Sequence, residues 1–353
     1  MRIIPNKMTQ PPPSQLFHSF NHFNEYFING LKKHIEKGNI SSFILAYANA
    51  TNDPDIFNAL KPQLEYAFQQ INQNMTTLST QCNADDLIVI NNITQLGFDH
   101  IDSREVRNLN PWFLQYNILR TLRPVRNSGK AVSNIQQPFN PDGFNFNLEF
   151  MQKECLWRGE LLNREVSLLY NKYPFVNYHC LLVPEPKQNL NQFLDFKNHQ
   201  FIYETCCQLA KTMPNIGLAY NSFGAFASVN HLHFHLYLDE PAFAVQAKEF
   251  THNGGSKNYP LSCIRFTNFQ ESWKTIESLH QQNLSFNLLY TPDAIYCIPR
   301  RFQNSYQQPD WTSGFAWYEC CGKFTFADYE DFQSMTQERI IETMMSLKIE
   351  ALC

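Results

Sequence analysis

Residues 231–238 read His-Leu-His-Phe-His-Leu-Tyr-Leu, a strict alternation that fits an extended strand and no helix. In a strand His231, His233 and His235 share one face, while Leu232, Phe234 and Leu236 take the other and pack on a core. Alternate residues lie about 6.5–7 Å apart, which would line three imidazoles along a bound polyphosphate. A neutral imidazole is a nucleophile near pH 7, its reference pKa being about 6.5, while a neighbouring ring can hold a proton. A histidine on an apolar strand is ordinarily structural, and alternating histidines also suit a metal clip, here with Asp239 and Glu240 close behind. Both alternatives stay open on the strand alone.

The loop before the strand, Asn221-Ser-Phe-Gly224-Ala-Phe-Ala-Ser228, offers a glycine for close backbone approach, small residues whose N–H groups can face an anion, and a hydroxyl. It reads as a phosphate cradle or, more plainly, as a tight connection. Upstream, residues 166–170 and 179–183 read as strands, and Pro184 ends the second. Ile202, Cys206, Leu209 and Met213 predict an amphipathic helix over about 198–213, and residues 215–220 alternate as a strand. Short connections in the order strand, strand, helix, strand, loop, strand favour an antiparallel sheet with a packed helix, an α+β arrangement.

Towards the N-terminus, beyond a Pro-rich start, Leu16, Phe17, Phe20, Phe23, Phe27 and Leu31 recur at helical spacing, with Gly38 placed to end the helix. A second helical pattern comes after Pro54 through Ile56, Leu60, Leu64, Phe68 and Ile71, with a kink or break expected at Pro62. A strand is expected around Leu87, Val89 and Ile90, and the turn-rich stretches at 127–130 and 139–146 separate it from the strands downstream. Further strands are expected near 286–290, 295–298 and 315–318, then a closing helix through Ile340, Ile341, Met344, Met345 and Leu347. The division expected is a helical extension over 1–105, a catalytic half over 106–250 and a second half over 251–353.

With 28 basic and 32 acidic residues, a formal charge of −4 gives no broad cationic field, which argues against nucleic acid as a partner. Ten scattered cysteines without metal-type spacing read as reduced thiols of a cytoplasmic protein. Neither an export signal nor an apolar run near the roughly 20 residues of a membrane span is present in the sequence.

The strand at 179–184, Asn221-x-x-Gly224, and Ser228-Val-Asn-His231-Leu-His233-Phe-His235 together resemble the histidine triad superfamily. Within it, residues 220–235 and 181–186 are most similar to the GDP-hexose phosphorylases. Weaker similarity runs through Asn117, Arg120 and Arg123, through 137–146, and through 287–299 and 317–322. The resemblance implies an antiparallel sheet of the histidine triad kind, duplicated, with a degenerate second half. It implies no cofactor and no obligatory metal, with a GDP-hexose and inorganic phosphate as substrates. By position, His233 would form a nucleotidyl-histidine, His231 would orient it, and His235 would contact phosphate or help protonate the leaving oxygen. Asn171 would meet the ribose and His179 would sit beside the triad. Asn221, Gly224 and Ser228 would hold phosphate, and Asn117, Arg120 and Arg123 the sugar phosphate or the incoming phosphate.

Two departures bear on the site: Tyr178 stands where the family carries glycine, and His235 stands where the plant phosphorylases carry glutamine. The alternatives to phosphorolysis are a nucleotide-sugar or dinucleotide hydrolase on the same site, and a non-catalytic nucleotide-binding protein whose N-terminal helices engage a protein partner.

Overall fold

The computed structural model describes residues 15–122, 132–312, 314–326 and 328–349. Its first part is helical: α1 (Phe20–Glu36), α2 (Ile40–Asn52), α3 (Pro54–Gln73), α4 (Met75–Ser79) and α5 (Ala84–Leu96). Ser19 caps α1 by accepting the His22 N–H, and Gly38 takes a positive φ of 64° just beyond its end. Two expectations fail here. The break expected at Pro62 does not occur, and α3 continues through it because that residue and Asn58, whose carbonyl loses its partner, both lie on the exposed side. The residues Leu87, Val89 and Ile90 lie in α5 rather than a strand. Asn83 accepts the Asp86 N–H at 2.9 Å to start that helix, and Asp86, Val89, Ile90 and Ile93 form its buried stripe.

Next come β1 (Glu105–Leu109), β2 (Trp112–Tyr116), α6 (Ile118–Thr121) and α7 (Glu149–Gln152). After them come β3 (Cys155–Leu161), β4 (Arg164–Tyr170), β5 (Cys180–Pro184), α8 (Phe196–Leu209), β6 (Ile216–Asn221) and β7 (Phe234–Leu238). The last part holds β8 (Ile264–Phe266), α9 (Phe269–Gln281), β9 (Ser285–Thr291), β10 (Ala294–Arg300), α10 (Trp317–Cys320), β11 (Lys323–Phe326), α11 (Tyr329–Ser334) and α12 (Gln337–Ser346). The strand expected at 315–318 is therefore the short helix α10, and the strand comes after it. Glu319 reaches back to accept the Ala316 N–H at 3.0 Å, which turns the chain into a helix there.

An eight-stranded antiparallel sheet has the order β3-β4-β5-β7-β6-β9-β10-β8. A three-stranded sheet, β1-β2-β11, pairs β11 parallel to β2. Alternation divides the large sheet's side chains between two cores. Leu168, Leu182, Leu218, Phe234, Leu236 and Leu288 join α1–α3, α5, α8 and α9 on one face. Ala219, Tyr237, Leu289, Tyr296 and Ile298 face the small sheet, α10 and α12 on the other. No helix among the described residues is long and apolar enough to cross a membrane.

Candidate active site

The regular strand β7 begins only at Phe234, so His231 and His233 lie just ahead of it. A side chain stands in for a partner strand at that point. Gln192 accepts the His233 N–H through Oε1 at 2.9 Å, while its Nε2 donates to the His233 carbonyl at 3.3 Å and the Asn221 carbonyl at 2.9 Å. Leu232, Phe234 and Leu236 are buried in the helix-covered core, which leaves the three imidazoles on the opposite side.

His231, His233 and His235 are 0%, 4% and 8% exposed. Burial drives the His231 and His233 pKa values down to about 4 and holds His235 well below 6.5, because an imidazolium loses hydration there. All three are neutral at pH 7. His233 Nδ1 lies 2.8 Å from the His231 carbonyl, which can only accept, so Nδ1 carries the proton and Nε2 keeps the lone pair. His231 is the reverse: the Phe146 N–H donates to its Nδ1 at 3.2 Å, placing the proton on a buried Nε2. The Phe146 ring packs edge-on against His233 at 5.1 Å and tilted against His231 at 5.5 Å, and Phe139 covers His231 from another side.

His179 stands 2.9 Å from His235, Nε2 to Nδ1, and Asn171 Nδ2 meets the same His179 nitrogen at 3.3 Å. Burial, and secondarily the Arg120 guanidinium, hold His179 well below its ordinary pKa. Arg120 donates to the Tyr173 carbonyl at 2.7 Å and lies over the Phe175 ring, which itself touches His179 and His235. The fold thus brings Arg120, Asn171 and His179 to the triad. The Asn117 side chain instead accepts the Leu119 and Arg120 N–H groups at the start of α6, a capping role. Arg123, like residues 127–130, lies outside the described residues.

The loop at 221–228 is a tight connection on several counts. Gly224 has a φ of 89°, and a Cβ there would stand 2.4 Å from Phe302. The Ala225 N–H is committed to the Ser222 carbonyl at 2.9 Å and the Phe226 N–H to Gln303 Oε1 at 2.8 Å. Asn221 is 3% exposed and turned towards His235, whereas Ser228 is exposed at the loop's end. A cavity of about 980 Å³ lies away from these rings, at the opposite ends of β6 and β7, lined among others by Ile216, Asp239, Arg265 and Tyr296. Among the described residues, no three His, Cys, Asp or Glu side chains are grouped to hold a metal ion.

The helical layer reaches the site through the 171–179 loop. Asn49 donates to the Asn171 carbonyl and Asn52 to the Val176 carbonyl, both at 2.9 Å. Lys172 pairs with Asp86 at 2.6 Å and donates to Ser41 at 2.8 Å. Tyr178, in the place of the expected glycine, keeps a glycine-like φ of 52°. Its ring is lodged among Phe20, Phe23 and Phe27, and its hydroxyl donates to Asn24 at 2.9 Å. Sequence reasoning did not single out Gln192, Phe175, Asn287 or Trp317 as site residues. Their signal is spatial, since only the fold carries Trp317 onto His235, at 5.8 Å between ring centres.

Residues 97–237 match the family model described as "GDPGP1-like, N-terminal domain". GDP-D-glucose phosphorylase 1 of Danio rerio is 35% identical over 140 residues, covering 39% of this chain and 39% of that protein. GDP-L-galactose phosphorylase 2 of Arabidopsis thaliana is 25% identical over 256 residues, covering 59% of this chain and 58% of that protein. The match therefore spans less than two thirds of each of these relatives. The solved structure of yeast Ap4A phosphorylase Apa2 superposes with a TM-score of 0.49 at 16% identity, covering 74% of this chain and 94% of that one.

Proposed function

We propose, from the premise that this chain is a homologue of the GDP-hexose phosphorylases with a GDPGP1-like N-terminal domain at residues 97–237, that it is a nucleotidyltransferase cleaving a GDP-hexose with inorganic phosphate. The observation that carries the mechanism is the proton on His233 Nδ1, held by the His231 carbonyl at 2.8 Å, which leaves Nε2 as a free nucleophile on a neutral ring. In the first displacement Nε2 attacks the α-phosphorus. A nitrogen–phosphorus bond forms, the bond from the α-phosphorus to the bridging oxygen breaks, and hexose 1-phosphate leaves with that oxygen. The ring becomes a guanylylated imidazolium whose charge strengthens the Nδ1–H bond to the His231 carbonyl. In the second displacement an oxygen of inorganic phosphate attacks the same phosphorus, the nitrogen–phosphorus bond breaks, and GDP departs with His233 restored. In this reading Arg120 and Ser228 are the groups that meet the transferring phosphates, and Asn171 the ribose.

The same reading keeps residues 1–105 as a helical extension and 251–353 as a triad-less second half of a duplicated fold. Helix α9 supports it by packing on the same sheet face as α8. The described cysteines are free thiols, which supports a reducing, cytoplasmic setting.

Intact-mass measurement after brief exposure to GDP-glucose without phosphate tests the mechanism. A single guanylyl adduct is expected on the wild-type protein, discharged by phosphate and absent from His233→Ala. An adduct that survives His233→Ala, or none on the wild type while turnover proceeds, contradicts it.

A further inference from the structure

We propose that Asn221, clamped by Asn287 and by the backbone N–H of Trp317, is a positioning residue that fixes His235 in its Nδ1–H tautomer, with Nε2 a hydrogen-bond acceptor. The Trp317 N–H can only donate, and it meets Asn221 Oδ1 at 2.9 Å. Asn287 Nδ2 donates to the Ala225 carbonyl at 3.0 Å and to the same Asn221 Oδ1 at 2.7 Å. The Asn221 amide is therefore oriented, and the Nδ2 it turns to His235 Nε2, 3.4 Å away, is a donor. A second asparagine agrees. The Tyr173 N–H donates to Asn171 Oδ1 at 3.0 Å, so the Asn171 Nδ2 that meets His179 Nε2 at 3.3 Å is also a donor.

The 2.9 Å bond between His235 Nδ1 and His179 Nε2 holds one proton, which can sit on either ring. With the proton on His235, Asn221 donates to His235 Nε2 and Asn171 shares the His179 Nε2 lone pair with the His235 Nδ1–H, while the Phe175 N–H faces His179 Nδ1–H across 3.5 Å. With it on His179, the Phe175 contact is kept and both asparagine amides face ring N–H groups. Two contacts outweigh one, since either placement leaves N–H groups facing each other, at the Phe175 amide in the first and at both asparagine amides in the second.

The consequence divides three chemically identical side chains into three roles. His231 offers a proton at Nε2, His233 a lone pair at Nε2 for attack, and His235 a lone pair at Nε2 for hydrogen bonding. His235, with no proton on Nε2, is then not the donor to the leaving oxygen. The tautomer stands on geometry alone, whereas its catalytic consequence rests on the phosphorylase reading.

Nitrogen-15 NMR of the histidine rings in the substrate-free full chain near pH 7 reads the tautomer directly. His235 is expected with a protonated Nδ1 and an unprotonated Nε2. Asn221→Asp replaces the donor with a carboxylate oxygen while still accepting from Trp317, so it should move the His235 proton to Nε2 and lower kcat at least about tenfold, with KM changed less than about threefold. Asn287→Ala should shift the same resonances in the same direction by less. A protonated Nε2 in the wild type, or His235 resonances that Asn221→Asp leaves in place, would overturn the proposal. The predicted tautomer without turnover of any GDP-hexose would instead remove the phosphorylase reading and leave the assignment of Asn221 standing.

Discussion

In the proposed mechanism His233 combines two properties that usually conflict. A nucleophilic imidazole must be neutral, and burial at 4% exposure ensures that by drawing its pKa to about 4. A lower pKa also weakens a nucleophile, and the Nδ1–H bond to the His231 carbonyl opposes that loss by favouring the charged form. These opposing effects fix the sign of the pH dependence. A base whose pKa is depressed stays free above that value, so the nucleophile is lost only as pH falls towards 4. The kcat/KM profile for a GDP-hexose should be free of an acid limb near 6.5, the ordinary imidazole value, over the range in which the protein remains folded. A limb there would mean that the reacting ring is hydrated and the buried geometry does not describe the working enzyme.

Tyr178 ties the helical layer to the 171–179 loop. A left-handed backbone conformation costs a non-glycine residue about 1–2 kcal/mol, whereas losing a large aromatic side chain from a packed site costs about 3–5 kcal/mol. The packing against Phe20, Phe23 and Phe27 therefore exceeds the strain. Tyr178→Gly should relieve the backbone yet lower stability by about 1–3 kcal/mol in denaturant unfolding, since the site is only partly buried. Equal or greater stability would show that the helices do not anchor this loop. The strands at 180–184, 216–221 and 234–238 were legible because alternation and bounding turns act locally, and α1 was legible from its phenylalanine spacing. Helix α5 was not. Its run of β-branched residues suggests a strand, and the cap at Asn83 with the Asp86, Val89 and Ile93 stripe decides otherwise. At 315–318 an aromatic run reads as a strand, but the backbone turns there to bring Trp317 against His235 and Tyr237.

Across the whole molecule the site is assembled from distant parts of the chain. Phe146 covers two of the imidazoles, the 171–179 loop supplies His179, and α10 supplies the N–H that orients Asn221. A buried pair of Lys323 with Asp239, 2.6 Å apart and joined by Arg104, fastens the small sheet to the end of β7. The histidines are legible in the sequence because they alternate along one short segment, and Asn171 through the family resemblance of its segment. The sequence motif did not carry Asn287 or Trp317, whose roles depend on how β9 and α10 pack against β6 and β7. On the proposed function, the guanylyl group is transferred to phosphate. The most direct measurement is product analysis of GDP-glucose incubated with the full chain, with and without inorganic phosphate. GDP and glucose 1-phosphate accumulating together, and only when phosphate is present, is the expected result. GMP released without phosphate, or no consumption of GDP-glucose or other GDP-hexoses under either condition, would contradict it.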